Sequence, residues 1–85
     1  MTIQLIFLAR LRERFGVARE AFVLPVQVAT VADLLAELRA RGGAFAEELA
    51  PQRAFRVAVN QDVVAVDHPV KAGDEVAIFP PVTGG

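Results

Sequence analysis

The chain contains no cysteine, and this absence removes three kinds of chemistry together. Without thiols it can form no disulfide, no thiolate nucleophile and no thiolate metal site. Small secreted domains are commonly stapled by disulfides, so their absence favours a reducing compartment. We therefore expect a cytoplasmic protein.

Histidine and lysine are scarce as well. The sole histidine, His68, precedes Pro69 and has no second histidine or cysteine to share a metal, so a turn residue is predicted. The sole lysine, Lys71, lies in a predicted loop, and no phosphate-binding loop motif is present. Glu47 and Glu48 are adjacent, and adjacent side chains on a helix point apart. We predict no active site, no metal site and no bound cofactor within the domain.

The chain also lacks an excess of charge and any long apolar run. Its formal net charge of -1 provides no long-range field for nucleic acid or for an anionic membrane. The apolar segment from Ile3 to Ala9 has no positive residue before it and three arginines after it, which is unlike a signal peptide. No stretch approaches the roughly eighteen apolar residues of a membrane span. We expect neither nucleic acid nor a membrane as a partner.

What is present suits one compact domain: 85 residues, of which 54% are hydrophobic. We place this domain at residues 1–81 and treat residues 82–85 as an extended tail. Ile3, Leu5 and Phe7 alternate along a first strand whose second face is also largely apolar. Ala9 to Phe15 is predicted as a short helix ended by Gly16, and Glu20 to Leu24 as a second strand.

The main helix has the clearest signals. Thr30 and Asp33 form a predicted capping box, and apolar residues follow at helical spacing, at Val31, Leu34, Leu35 and Leu38. Arg39 and Arg41 are predicted in its last turn, with Gly42-Gly43 as its stop.

The second half is predicted to be mostly strand. Phe45 to Leu49 forms a short helix, Arg56 to Asn60 and Val63 to Val66 form a hairpin around Gln61-Asp62, and Glu75 to Phe79 is the last strand. Hairpins on either side of one main helix predict an α+β fold with a mixed sheet of about five strands, covered on one side by that helix.

The chain ends in Pro80-Pro81-Val82-Thr83-Gly84-Gly85. Prolines cannot continue a paired strand, so the tail is expected to leave the fold extended. The two glycines have no side chains and could enter a channel too narrow for other residues. A terminal carboxyl is ionised at neutral pH and is a poor electrophile. We therefore expect an ATP-using partner to activate Gly85 as a mixed anhydride with AMP, and this domain to present the activated carbonyl.

Four segments of the chain resemble the small subunit of molybdopterin synthase. They are Ile6-Phe7-Leu8-Ala9-Arg10-Leu11-Arg12-Glu13, Val59-Asn60-Gln61, Asp67-His68-Pro69-Val70, and the ending from Asp74 to Gly85, which contains Phe-Pro-Pro-Val-Thr-Gly-Gly. The resemblance covers essentially the whole chain. It implies a β-grasp, ubiquitin-like fold, and a sulfur carrier in molybdenum cofactor biosynthesis that is not an enzyme by itself.

The resemblance also implies roles for residues and partners. Gly85 would be adenylated and then thiocarboxylated, and the tail would enter the large synthase subunit to donate sulfur for the dithiolene of molybdopterin. The implied partners are that large subunit, an adenylating enzyme related to the E1 class, and a sulfurtransferase that supplies the sulfur. The implied partner contacts are Leu8, Arg12, Phe79, Pro80, Pro81, Val82, Thr83 and Gly84.

Three other functions stay open at this point. A carrier for thiamine thiazole synthesis shares the fold and the diglycine, and a ubiquitin-like modifier shares the adenylation but forms an isopeptide on a lysine. A plain binding module would tolerate the loss of Gly85.

The alternation of the first and last strands also predicts a surface patch. If the helix covers the face formed by Ile3, Leu5, Phe7, Val76 and Ile78, then Ile6, Leu8 and Phe79 should form an exposed apolar patch beside the tail.

Overall fold

The structure, a computed structural model, describes residues 1–81. Its elements are β1 (Thr2–Phe7), α1 (Ala9–Phe15), β2 (Arg19–Val23), α2 (Val31–Arg39), α3 (Gly43–Glu48), β3 (Arg56–Val59), β4 (Asp62–Val64) and β5 (Glu75–Phe79). The predictions for Val82, Thr83, Gly84 and Gly85, including the extended tail, concern residues outside this range.

The five strands form one mixed sheet with the order β2-β1-β5-β3-β4. The two central strands, β1 and β5, are parallel, and the remaining neighbours pair antiparallel. Parallel neighbours require a crossover connection, and the chain between β1 and β5 supplies it with three helices and three strands. The predicted α+β fold with a mixed five-stranded sheet is confirmed.

Helix α2 begins with the predicted capping box. The Asp33 amide donates to Thr30 Oγ1 at 3.3 Å, and the Thr30 amide donates to Asp33 Oδ2 at 3.2 Å. Backbone N–H groups of Ala29 and Thr30 donate to the Asp33 carboxylate and lower its pKa. The four apolar residues predicted to face the core, Val31, Leu34, Leu35 and Leu38, are all buried. Both the capping box and the burial of these apolar residues therefore confirm the predicted helix.

One face of the sheet forms the core. Cross-strand partners share a face, and the pairs Leu5 with Val76 and Phe7 with Ile78 point toward the helices. These four side chains are fully buried, and Ile3 is nearly so. The predicted core face is confirmed, and no helix among residues 1–81 covers the opposite face of the sheet.

The end of α2 differs from the prediction. The helix ends at Arg39, and Gly42 and Gly43 introduce α3, which begins two residues earlier than expected. Both glycines have positive φ, 78° and 54°, where a side chain would be strained. Arg41 therefore lies beyond the helix, where its guanidinium pairs with Glu20 and stacks on aromatic rings, rather than serving the helix dipole.

The predicted hairpin in the second half is present, but its turn is one residue earlier. Asn60 and Gln61 are the turn residues, with φ of 51° and 75°. Asparagine tolerates the left-handed region better than most residues. The Asn60 side chain also donates to Asp74 Oδ1 at 3.0 Å, and the Lys71 amide donates to Asp74 Oδ2 at 2.8 Å. The nearly buried Asp74 thus ties this turn to the start of β5.

The remaining boundaries shift slightly. Strand β2 begins and ends one residue earlier than predicted, and β4 ends two residues earlier. His68 lies exposed in the loop after β4, where its amide donates to Ala65 O, as expected for a turn residue.

Among residues 1–81 no group of three or more His, Cys, Asp or Glu side chains is placed so that it could hold a metal ion. Likewise, no helix in this part of the chain is long and apolar enough to cross a membrane.

Candidate functional site: the surface around the tail exit

The chain reaches its tail from the middle of the sheet. Strand β5 pairs with β1 on one side and β3 on the other up to Phe79, and the Leu8 amide donates to Ile78 O at 3.2 Å. Because β1 and β5 are parallel, Leu8 and the start of α1 lie at the same end of the sheet as Pro80. Pro80 and Pro81 are both half-buried. The last two residues that the structure describes therefore lie against the domain.

A row of apolar side chains crosses the uncovered face of the sheet near the end of β5. Ile6, Ala77, Ala58 and Val63 are consecutive cross-strand partners from β1 to β4. Phe79 lies two residues beyond Ala77 and so on the same face. We call Ile6, Leu8, Ala77 and Phe79 the open-face patch.

The predicted exposure of this patch is correct for one residue and only partly correct for two. Leu8 is 43% exposed, whereas Ile6 and Phe79 are half-buried. Neighbouring strands cover part of a side chain in the middle of a sheet, while Leu8 follows the end of its strand and escapes this cover. The structure brings Leu8, Phe79, Pro80 and Pro81 to one end of the sheet. Their predicted role in partner binding stays a prediction.

A cluster of charged side chains lies close to Pro80, where β5 leads into the tail. Arg10 donates to Glu48 from both Nε and Nη2 at 3.1 Å, and Arg14 Nε donates to the same carboxylate at 3.0 Å. Arg53 Nη2 lies 3.6 Å from Glu48 Oε2. The Glu48 side chain is only 5% exposed, whereas the three arginines are 41% to 59% exposed. We call these four residues the Glu48 cluster.

This cluster joins three segments that are far apart in sequence. Arg10 and Arg14 are one turn apart on α1, Glu48 ends α3, and Arg53 lies in the loop before β3. A cavity of about 220 Å³ between Arg10, Glu48, Arg53 and Pro80 connects the cluster to the base of the tail. The spacing of Arg10 and Arg14 indicates a shared helix face, but no sequence signal identifies Glu48 as their partner.

Hydrogen bonds control the titration of Glu48. The Arg10 hydrogen bond lowers the pKa of Glu48 from its ordinary value of 4.5, burial opposes this shift, and Arg14 and Arg53 add to the lowering. The same contact raises the pKa of Arg10. Glu48 is therefore a permanent anion at neutral pH and serves as an anchor for arginines, not as a general acid.

Arg12, a predicted partner contact, is not part of this cluster. It lies exposed on α1 and takes part in none of the ion pairs found among residues 1–81. Its guanidinium is thus free of the constraint that holds Arg10 and Arg14.

Replacing Glu48 is expected to destabilise the domain in a pH-dependent manner. In the Glu48→Gln variant an amide replaces the carboxylate between three arginines, which weakens several charge-assisted hydrogen bonds and should cost about 1 to 2 kcal/mol near neutral pH. Because the pKa of Glu48 is lower in the folded state, its stabilisation is full above the unfolded value of 4.5 and is lost as pH falls through the folded value. Urea denaturation at about pH 7 and about pH 3 measures both effects.

The neighbouring acid provides the control. Glu47 is 64% exposed and pairs with Arg14 alone among the described residues. Glu47→Gln should change the free energy of unfolding by less than about 0.5 kcal/mol. Equal effects of the two substitutions, or a Glu48→Gln deficit that persists unchanged at low pH, would contradict an anchoring carboxylate.

The sheet order, the parallel central strands and the helix packed on one face define a ubiquitin-like β-grasp protein whose tail follows the central strand. The chain matches the ThiS family over residues 5–85. It belongs to that family.

Known relatives agree with this assignment. The chain is 40% identical over 83 residues to the molybdopterin synthase sulfur carrier subunit of Escherichia coli K12, covering 98% of this chain and 99% of that protein. Its fold is similar to a putative molybdopterin converting factor subunit 1 from Pyrococcus furiosus, with a TM-score of 0.78, 30% identity and coverage of 96% and 99%. SAMP1, a small archaeal modifier protein from Haloferax volcanii, has a TM-score of 0.81 and 28% identity, with full coverage of both chains. The predicted family and the predicted β-grasp fold are confirmed.

Proposed function

We propose that this chain is the sulfur carrier subunit of a molybdopterin synthase, with the carboxyl group of Gly85 as the point of sulfur attachment. The observation that carries the proposal is the 40% identity to a subunit of that name over nearly the full length of both chains. The terminal Gly84-Gly85 and the absence of cysteine support it, because sulfur held on a terminal acyl carbon requires no thiol side chain.

The proposed chemistry has two stages on Gly85. In the first stage, a carboxylate oxygen attacks the α-phosphorus of ATP, pyrophosphate leaves, and an acyl adenylate forms. In the second stage, a sulfide equivalent attacks the acyl carbon, the carbon–oxygen bond to AMP breaks, and a thiocarboxylate remains. The negative sulfur is then nucleophilic toward a pterin precursor, and water can later release the carrier by attack at the acyl carbon.

Other proteins would perform the catalysis. An adenylating enzyme of the E1 type would bind and use the ATP, a sulfurtransferase would supply the sulfur, and the large synthase subunit would receive the tail. The carrier then contributes recognition and a reactive terminus, which is the role of a non-catalytic subunit. We place this exchange of partners in the cytoplasm.

The geometry of residues 1–81 suits such a carrier. The open-face patch lies beside the tail exit, so one partner surface can cover Leu8 and Phe79 while the tail enters its active site. Because β5 is paired on both sides, binding at this patch would position the tail with little motion of the domain. Exposed apolar groups at such a position commonly mark partner sites.

Mass spectrometry of the protein purified from its own cells tests the proposal. We expect a fraction heavier by the difference between one sulfur and one oxygen atom, with the change on the C-terminal peptide at Gly85. A variant with one alanine appended after Gly85 is the control and should carry no sulfur. Ordinary carboxylate alone in sulfur-replete cells, or sulfur on another residue, would refute the assignment.

A protein modifier is the second candidate, and the similarity to SAMP1 favours it as an alternative. Here a lysine amine would attack the acyl adenylate, AMP would leave, and an isopeptide would form. Denaturing gels of cell extract would then show this chain covalently attached to many proteins. A carrier for thiamine thiazole synthesis would carry the same thiocarboxylate but would bind a different acceptor enzyme.

A further inference from the structure

Arg56 is the one charged strand residue on the uncovered sheet face that has no partner among residues 1–81. Cross-strand partners share a face, so the pairing of Arg56 with Phe79 places both side chains opposite the helices. Arg56 is exposed and takes part in no ion pair or side-chain hydrogen bond within this range. The other two charges that the strands place on this face, Arg19 and Glu75, lie 4.0 Å apart. The face therefore carries one unpaired positive charge, beside the open-face patch.

The acidic residues of β4 and β5 lie at the far end of the sheet from Arg56. Asp62 begins β4 and Glu75 begins β5, whereas Arg56 begins β3 and faces the end of β5. At about 3.3 Å per residue, this separates Arg56 from either carboxylate by roughly 10 Å or more along the strands. Exposed charges at such a distance are largely screened at physiological ionic strength. The charge of Arg56 is thus available to a partner.

A partner that covers Phe79 must also cover Arg56. Directly opposed side chains on neighbouring strands have Cβ atoms about 5 Å apart, which is less than the width of one partner side chain and its neighbours. A guanidinium that loses its water without gaining hydrogen bonds is unfavourable, so a complementary surface supplies acceptors at this position. A carboxylate suits it best, because its two oxygens accept two parallel hydrogen bonds from the planar guanidinium. The pairing therefore selects a partner with an acidic side chain beside an apolar surface.

A second copy of this chain fits the same surface poorly. Its uncovered face carries the same excess of positive charge, and the one carboxylate that the strands place there, on Glu75, already lies beside Arg19. Two such faces brought together would bury both copies of Arg56 without an acceptor, and like charges across an interface oppose association. The charge pattern therefore favours a different protein as the occupant and disfavours self-association through the open-face patch.

We propose that Arg56 is a specificity-determining contact of this surface: the partner protein that covers the open-face patch places an aspartate or glutamate carboxylate against its guanidinium, beside the apolar site that receives Phe79. This rests on the proposed function, which identifies that partner as the large synthase subunit. The apolar patch supplies most of the affinity, and the ion pair at its border fixes the orientation in which the two proteins meet.

Calorimetric titration of full-length variants with the large synthase subunit tests this contact. Arg56→Gln and Arg56→Leu should each weaken binding about tenfold at low salt, because a carboxylate of the partner loses its cation. Arg56→Lys keeps the charge without the planar fork and should bind with intermediate affinity. Lys71→Gln removes one positive charge from the exposed loop before β5, at the opposite end of the sheet, and should bind like the parent. Raising the salt from about 0.05 M to about 0.5 M should shrink the Arg56→Gln deficit.

Three results would overturn the proposal while leaving the sulfur carrier function intact, since in each of them the parent still binds. The first is an Arg56→Gln variant that binds like the parent. The second is an equal loss in Lys71→Gln, which would assign the effect to net charge. The third is an Arg56→Leu variant as tight as the parent, which would show that only the apolar stem is in contact. A parent that does not bind the large subunit would refute both proposals together. Thermal unfolding of each variant verifies that the fold is intact.

Discussion

Deletion of Gly85 is expected to abolish sulfur transfer completely while leaving the free energy of unfolding nearly unchanged. The terminal carboxyl is the proposed site of adenylation, and removal of one residue moves it out of reach of an activating site matched to the full tail. Within residues 1–81, the last residue of the buried core cluster is Ile78, several residues before the tail. Terminal residues that bury little surface contribute little to folding.

Two measurements on the same preparations check this expectation. Sulfur transfer is followed with the adenylating enzyme, a sulfur donor and the large synthase subunit, and stability is followed by urea denaturation. Removal of Met1, which is exposed at the opposite terminus, is the matched deletion and should retain full transfer. Substantial transfer by the Gly85 deletion would show that sulfur is carried elsewhere.

Phe79→Ala is expected to weaken binding to the large synthase subunit by about thirtyfold. Phe79 is half-buried on the uncovered sheet face, where a partner can complete its burial. Truncation of an aromatic anchor in an interface costs about 2 kcal/mol or more, which is about thirtyfold in Kd. Calorimetric titration of the two subunits measures the change.

The chain offers controls for surface and for core. Val26 is 97% exposed in the loop after β2, outside the open-face patch, and Val26→Ala should leave the affinity unchanged. Ile78 is fully buried, and Ile78→Ala should lower stability by about 2 to 5 kcal/mol. A Phe79→Ala variant that binds like the parent, or that loses as much stability as Ile78→Ala, would remove Phe79 from the interface.

Local interactions account for the elements that the sequence predicts well. Helix α2 follows from a capping box that spans four residues, Thr30 to Asp33, and from apolar residues spaced over about two turns, and the structure confirms both. Strands β1 and β5 follow from alternating apolar residues, and their buried faces were predicted correctly. The family resemblance was likewise visible in the residues themselves, most of all in the ending from Phe79 to Gly85.

Boundaries were less predictable because several residue types compete at a helix end. Gly42-Gly43 is a reasonable stop signal for α2, yet these glycines serve the start of α3, and Arg41 leaves the helix to stack on Phe22 and Phe45. Such choices depend on aromatic rings that approach from distant segments. A sequence window of a few residues contains no information about them.

Contacts between distant segments lie furthest beyond the reach of sequence reasoning. Arg10 and Glu48 are 38 residues apart, and their pairing arises because α1 and α3 pack together at one end of the sheet. The placement of Arg56 beside Phe79 has the same origin, since it exists only where β3 pairs with β5. Helices and strands are encoded by short-range patterns, and the chain alone therefore reveals them. Pairings and cavities depend on the relative placement of whole elements, which the burial of a shared core settles.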